Sequence, residues 1–225
     1  SPRAGTGCRM SATLLSVSGL STHIDSENGL VRALDCVSFD VSEGETFALL
    51  GESGCGKSVT ALSLMRLLPP GGFIAAGSVV LDGQDLCALT EAEMRRVRGA
   101  GMAMIFQEPG TSLNAVLTVG QQIGEVLALH RGLKGAAADR EAVALMTQVG
   151  IPDPQRRLRE YPFQFSGGMK QRVMIAMALA GEPRVLIADE PTTALDVTIQ
   201  AQILDVMAAL QRARGMAMIL ITHDL

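Results

Sequence analysis

The sequence predicts an α/β fold: a parallel sheet covered by helices on both faces, with an antiparallel sheet near the N-terminus and an all-helical insert. Three observations carry this. Residues 45–50 read as a strand and 59–68 as a helix with regular apolar spacing, and a glycine-rich octapeptide lies between them. From residue 168 onward, helical patterns at 168–180 and 198–214 alternate with short apolar runs at 184–188 and 216–222, as expected of strands buried on both faces. Between about 115 and 165 there is no convincing strand pattern, only helical spacing at 119–130 and 136–149. A chain of 225 residues is long enough for one domain with a subdomain inserted into it.

In order, the first ten residues read as a disordered tail, with Met10 a candidate start. Residues 13–20 alternate and predict a strand, and 33–41 predict a second. The turn Ser42-Glu43-Gly44 leads into the strand at 45–50, and Pro69-Pro70-Gly71-Gly72 ends the helix that follows. Residues 77–83 read as a strand and turn, and Thr90 with Glu93 forms a capping box that opens a short helix to about Val97. Residues 102–106 form a compact buried strand. The antiparallel sheet is expected over about 12–48 and 74–83, and the helical insert over about 113–180.

Composition narrows the function classes. Hydrophobic residues make up 48% and charged residues 19%, and the net charge of −4 comes from interspersed acids and bases, so no basic tract argues for nucleic acid. Aromatics are 3% with no Trp, too few for base-stacking platforms. The longest apolar stretches, 173–180 and 216–221, fall far short of the ~20 residues that span a bilayer, and the start has no signal-peptide core. Cys8, Cys36, Cys55 and Cys87 have neither C-x-x-C nor metal-ligand spacing and are expected as free thiols. The twelve methionines read as core filler, and His23 and His130 as surface residues.

The octapeptide Gly51, Glu52, Ser53, Gly54, Cys55, Gly56, Lys57, Ser58 fits G-x-x-x-x-G-K-[ST], a P-loop, in the strand–loop–helix setting the motif requires. Glycines let the backbone curl so that successive N–H groups face phosphate oxygens, and the helix beginning near Lys57 adds its positive end. Lys57 is then placed to reach the β- and γ-phosphates and the Ser58 hydroxyl to ligate Mg²⁺, with Val59 closing the contact segment. A glycine-rich turn that happens to contain Gly-Lys-Ser is the bland alternative. Asp189 and Glu190 follow a short apolar strand, where open α/β sheets bind ligands. Asp189 suits a Mg²⁺ carboxylate and Glu190 a general base that polarises water. Alone, the pair reads better as a helix cap before Pro191; with a P-loop upstream, the functional reading is stronger. Ser166-Gly167-Gly168 at a helix start forms a second anion nest, which a simple Ser cap does not explain in a chain that already has one phosphate loop.

Ser166-Gly167-Gly168 with Met169-Lys170-Gln171-Arg172, then Asp189 to Thr192, Ala194-Leu195-Asp196 and Thr222-His223-Asp224, resembles the ATP-binding-cassette (ABC) ATPases of P-loop NTPase fold. Phe106 to Pro109, Ser112 to Asn114, Tyr161-Pro162 and the run 188–200 are similar to the dipeptide/oligopeptide importer branch, which also serves nickel and glutathione uptake. The resemblance covers nearly everything after the tail. It implies ATP and Mg²⁺ as cofactors and Gln107 as a glutamine that touches Mg²⁺ or water and relays nucleotide state to membrane subunits. It also implies Asp196 at a dimer seam, His223 as a switch histidine, and Ser166, Gly167 and Gly168 as contacts to a γ-phosphate held by the opposite subunit. The implied partners are a second cassette, integral membrane permease subunits and, indirectly, a solute-binding protein, on the cytoplasmic face of a bacterial inner membrane.

This sequence departs from the family pattern at Phe165, Phe163 and Ala115, where Leu, His and Pro are common, and the region 23–28 lacks the usual adenine-stacking aromatic. Family members continue beyond residue 225, so a C-terminally truncated chain is expected. A DNA-repair type cassette would carry coiled coils or a zinc module in the insert, a P-loop kinase or GTPase would not need the second nest, and a non-hydrolysing module would not need Glu190.

Overall fold

Alternating burial along the strands fixes the layers. The computed structural model describes residues 13–26, 29–52, 54–193 and 195–223. Strands β1 (Thr13–Ser26) and β2 (Gly29–Ser42) pair antiparallel; β3 (Thr46–Leu50) precedes α1 (Lys57–Met65); β4 (Gly72–Leu81) and β5 (Gln84–Asp85) follow, then α2 (Glu91–Ala100) and β6 (Met102–Ile105). From there to β7 (Val185–Asp189) the described segments contain only helices: α3 (Pro109–Ser112), α4 (Val119–Arg131), α5 (Ala136–Gln148), α6 (Pro154–Arg157), a short 3₁₀ turn and α7 (Gly167–Ala180). Helix α8 (Val197–Arg214) and β8 (Ala217–Thr222) complete the described chain.

Two four-stranded sheets result. One is antiparallel, in the order β2-β1-β4-β5, and the other is parallel, in the order β3-β8-β7-β6. Successive side chains of a strand point to opposite faces. Val185 and Ile187 of β7, with Ala217, Ile219 and Ile221 of β8, therefore pack with α1 and the antiparallel sheet. Leu186 and Ala188, with Met218 and Ala103, join the core built on α4, α5, α7 and α8. The same parity puts Asp189 on the face of Val185 and Ile187, toward α1, so its orientation is a consequence of strand register.

Several boundaries differ from the sequence expectation. Strands β1, β2 and β4 are longer than 13–20, 33–41 and 77–83, because paired bulges hide their continuity. Gly19 (φ 59°) and Gly77 (φ 91°) cross where β1 and β4 shift register, and a Cβ on Gly77 would sit 2.5 Å from the Gly19 carbonyl. The bulge resets the two-residue alternation that marks a strand. Residues 46–48 belong to the parallel sheet and not the antiparallel one, since β3 hydrogen-bonds β8. Helix α1 ends at Met65 instead of 68 because Arg66 turns left-handed (φ 51°) and its N–H closes on the Ser63 carbonyl. His130 and His23 are half-buried, not surface residues: His130 packs beneath Gly99, where burial pulls its pKa down, and His23 meets the Phe73 ring edge-on. Met10 and Cys8 lie outside the described residues.

Candidate functional site

The parallel sheet ends its strands at one level: Leu50 is paired with Thr222, Asp189 with Ile221 and Ile105 with Ala188. The residues that follow each strand therefore emerge side by side. The loop after β3 curls through Gly54 (φ 83°) and Gly56 (φ 94°), conformations that favour glycine. Gly56 also has no room for a side chain, since a Cβ there would lie 2.9 Å from the Ala33 carbonyl oxygen. At Gly51 a Cβ would lie 2.6 Å from the Cys55 sulfur, the movable end of an exposed side chain, so this position is less tightly constrained. Ser53 lies outside the described residues.

Lys57 opens α1 and is buried, and its ammonium donates to the Gly51 carbonyl at 2.6 Å and the Glu52 carbonyl at 2.8 Å. The cation is thus held across the loop. Val59 follows in α1 and accepts from Ser63 Oγ through its carbonyl. Ser58 Oγ donates to Asp189 Oδ1 at 3.1 Å, joining the loop after β3 to the end of β7.

Asp189 is only 4% exposed. Burial pushes its carboxyl pKa up, and the neighbouring Glu190 adds to this, while the Ser58 hydroxyl and the Lys57 charge oppose it. A desolvated carboxylate beside a hydroxyl is a donor pair that suits a hard cation. Mg²⁺ takes one or two protein oxygens and completes its shell with water and phosphate. Among the described residues, no group of three or more His, Cys, Asp or Glu is arranged to hold a metal ion by itself.

Glu190 sits in the left-handed region (φ 45°), and its N–H donates to the Ile221 carbonyl at 3.0 Å. Its side chain is 15% exposed and accepts two hydrogen bonds on Oε2, from Gln107 Nε2 at 3.0 Å and Thr193 Oγ1 at 2.9 Å, while His223 Nδ1 lies 3.3 Å from Oε1. Gln107 arrives from the loop after β6 and His223 from the end of β8. Lys57, Ser58, Asp189, Glu190, Gln107 and His223 are therefore brought together in one group. Thr193 was not anticipated. Its only signal in the sequence was an offset of three residues from Glu190 across a proline.

Ser166, Gly167 and Gly168 do not join that group. Ser166 caps α7, its Oγ accepting from the Met169 N–H at 3.3 Å, and both Ser166 and Gly167 are exposed. Gly168 has a packing reason to be glycine, since a Cβ there would lie 2.9 Å from Ile199 Cγ2 of α8. Asp196 is likewise a helix cap, accepting from the Ile199 N–H at 3.0 Å at the start of α8. Ala194 and Asp224 lie outside the described residues. No described helix is long and apolar enough to cross a membrane.

Comparison with known proteins gives a consistent picture. Residues 34–193 match the family described as ABC transporter. The chain is 54% identical over 213 residues to the dipeptide transport ATP-binding protein DppD of Bacillus subtilis (strain 168), covering 94% of this chain and 64% of that protein. It is 52% identical over 212 residues to DppD of Escherichia coli (strain K12), covering 94% and 65%, and 52% identical to the B. subtilis oligopeptide transport ATP-binding protein OppD, covering 94% and 60%. It thus spans somewhat under two thirds of their length. Among solved structures, the dimeric post-hydrolysis state of the ATP-binding cassette MJ0796 bound to ADP and Pi superposes with a TM-score of 0.83 at 26% identity, covering 94% of this chain and 88% of that one. The cassette cbiO1 of Clostridium perfringens, part of the complex cbiONQ, gives a TM-score of 0.77 at 26% identity, covering 94% and 79%.

Proposed function

This chain belongs to the ABC transporter family, and from that premise we propose that it is the ATP-hydrolysing part of an importer for peptides or related solutes. The observation that carries the reading is the convergence of Lys57, Ser58, Asp189, Glu190, Gln107 and His223 at the ends of four parallel strands. ATP lies along the loop 51–59, with its phosphates on the loop N–H groups and the start of α1. Lys57 turns from the Gly51 and Glu52 carbonyls to the β- and γ-phosphates, exchanging neutral acceptors for charged ones. Ser58 and Asp189 would hold Mg²⁺, with Gln107 able to touch the ion or its water, and the ion would supply charge neutralisation on the phosphate oxygens.

Glu190 takes the proton of the attacking water as general base, and His223 steadies its carboxylate. Ser166, Gly167, Gly168 and Asp196 serve the nucleotide of a second cassette, identical or paralogous, in a head-to-tail dimer. This is supported by the outward-facing nest at α7 and by the dimeric form of the MJ0796 relative. The assembly sits on the cytoplasmic face of a bacterial plasma membrane, bound to permease subunits that receive solute from a binding protein. High identity to transport ATP-binding proteins supports that reading.

The test is Glu190→Gln in the full-length protein. Equilibrium binding of ATP is expected to persist while steady-state hydrolysis falls by roughly 10²–10⁴-fold, the contribution of a general base. Hydrolysis at the wild-type rate would remove Glu190 from the mechanism.

A further inference from the structure

We propose that Thr193 is a positioning residue for hydrolysis, its hydroxyl fixing the Glu190 carboxylate in the orientation that receives the proton. The proposal rests on the reading of Glu190 as the base. Its physical ground is the turn that follows the strand. Glu190 leaves β7 in a left-handed conformation, a placement that costs a non-glycine residue free energy and that the surroundings must hold. Pro191 then fixes the next φ, and the Thr193 N–H donates back to the Glu190 carbonyl at 3.2 Å. Closing the turn in this way brings Thr193 Oγ1 to 2.9 Å from Glu190 Oε2, where the hydroxyl donates to the carboxylate.

The turn is itself fastened from α8. Gln200 Nε2 donates to the Thr192 and Leu195 carbonyls, each at 3.1 Å, and the Leu195 N–H closes on the Thr192 carbonyl at 3.2 Å. Threonine also has a stiff χ1, so its hydroxyl moves little once its backbone is held. The other two contacts of the carboxylate come from freer groups. Gln107 is an exposed side chain on the loop after β6, and the His223 side chain is 56% exposed. Two hydrogen bonds and the His223 contact thus converge on the carboxylate, and Thr193 makes the shortest of the three, from a turn that Gln200 fastens on either side of it.

A side chain that fixes the direction of a base should act on the chemical step and spare substrate binding. Misplacement of a reacting group by about 1 Å can cost on the order of 10²-fold. The Gln107 hydrogen bond and the His223 contact remain on Glu190 when the hydroxyl is lost, so a smaller effect of roughly 10-fold is expected. A hydroxyl that only stabilised the turn would change the melting temperature and leave kcat of the folded protein alone.

The experiment uses the full-length protein carrying Thr193→Val, which removes the hydroxyl at constant shape, and Thr193→Ser, which keeps it. Each is made with Glu190 intact and with Glu190→Gln. With Glu190 intact, Thr193→Val should lower kcat for ATP roughly 10-fold with KM unchanged within about twofold, and Thr193→Ser should restore most of the rate. In the Glu190→Gln background, Thr193→Val should have no further effect, because the group it orients no longer accepts the proton. If Thr193→Val does not fold, Thr193→Ala reads the same loss. An unchanged kcat in the hydroxyl-free variants, alongside a strong loss in Glu190→Gln, overturns the proposal and leaves the base assignment standing. So does an equal fractional loss in both backgrounds. Wild-type turnover by Glu190→Gln overturns the base assignment, and the role of Thr193 with it.

Discussion

Two glycine-bearing loops run into the starts of helices here, and they differ in what this chain provides around them. The loop before α1 is surrounded: Lys57 is held by two carbonyls, Ser58 reaches Asp189, and Glu190 is hydrogen-bonded by Gln107 and Thr193 and contacted by His223. The loop before α7 is open: Ser166 bonds only its own helix start among the hydrogen bonds of the described residues, and Gly167 faces outward. Both have the features of a phosphate cradle, namely small residues, free N–H groups and a helix N-terminus. The first is accompanied by the Lys57 ammonium and the Asp189 and Glu190 carboxylates. The second has none of these within hydrogen-bonding reach. On the proposed reading, the open loop is half of a site, and a second cassette would supply the other half.

The largest expected effect that sharpens this contrast comes from Lys57→Ala. Removing the ammonium deletes charge-assisted contacts to the β- and γ-phosphates, each worth about 1.5–3 kcal/mol, so ATP affinity should fall by roughly 10²-fold or more. Titration of the isolated full-length subunit with MgATP checks it. Unchanged affinity would mean that the nucleotide does not sit on the surrounded loop.

A smaller effect concerns Asp189. Its pKa is raised in the fold above the ordinary value of 3.8, chiefly by burial, so the folded state holds its proton to higher pH than the unfolded state does. Stability from this group is therefore present below 3.8 and is lost as pH rises through the folded pKa. Asp189→Asn cannot lose it in that way. Without nucleotide, the melting temperature of Asp189→Asn relative to wild type should rise as pH increases through that window. With MgATP at neutral pH the order should reverse, because only the carboxylate gains from the cation. Thermal unfolding across pH, with and without MgATP, reads both. A difference that does not change with pH would mean that Asp189 is not destabilised by its burial.

The glycine-rich loop and the carboxylate pair were legible in sequence because they are tied to short-range rules, whereas Gln107 and His223 came only through the family resemblance. A glycine-rich loop between strand and helix, and carboxylates ending an apolar strand, show themselves within a few residues. The parallel sheet was legible for the same reason, since β7 and β8 are apolar on both faces. The full lengths of β1 and β4 were hidden by the crossing bulges at Gly19 and Gly77, which break the alternation that signals a strand. Thr193 was hidden because its role depends on the left-handed turn at Glu190 and the Gln200 clamp, neither of which has a local signature. The packing reason for Gly168 depends on Ile199 of α8, 31 positions away, and was out of reach of any motif.

The central claim is that the open loop serves a nucleotide held by another cassette. It is tested most directly by measuring ATP affinity and ATP turnover on the same Ser166→Arg protein, full-length and assembled with its second cassette. The exposed position of Ser166 accommodates the larger side chain within its own subunit, so ATP binding to the isolated subunit should stay within about twofold of wild type. Turnover of the assembly should fall by roughly 10-fold or more, because the new side chain fills the space required for the opposing γ-phosphate. Normal turnover, or a loss of affinity in the isolated subunit as large as that from Lys57→Ala, would contradict the account and place the whole reaction within a single chain.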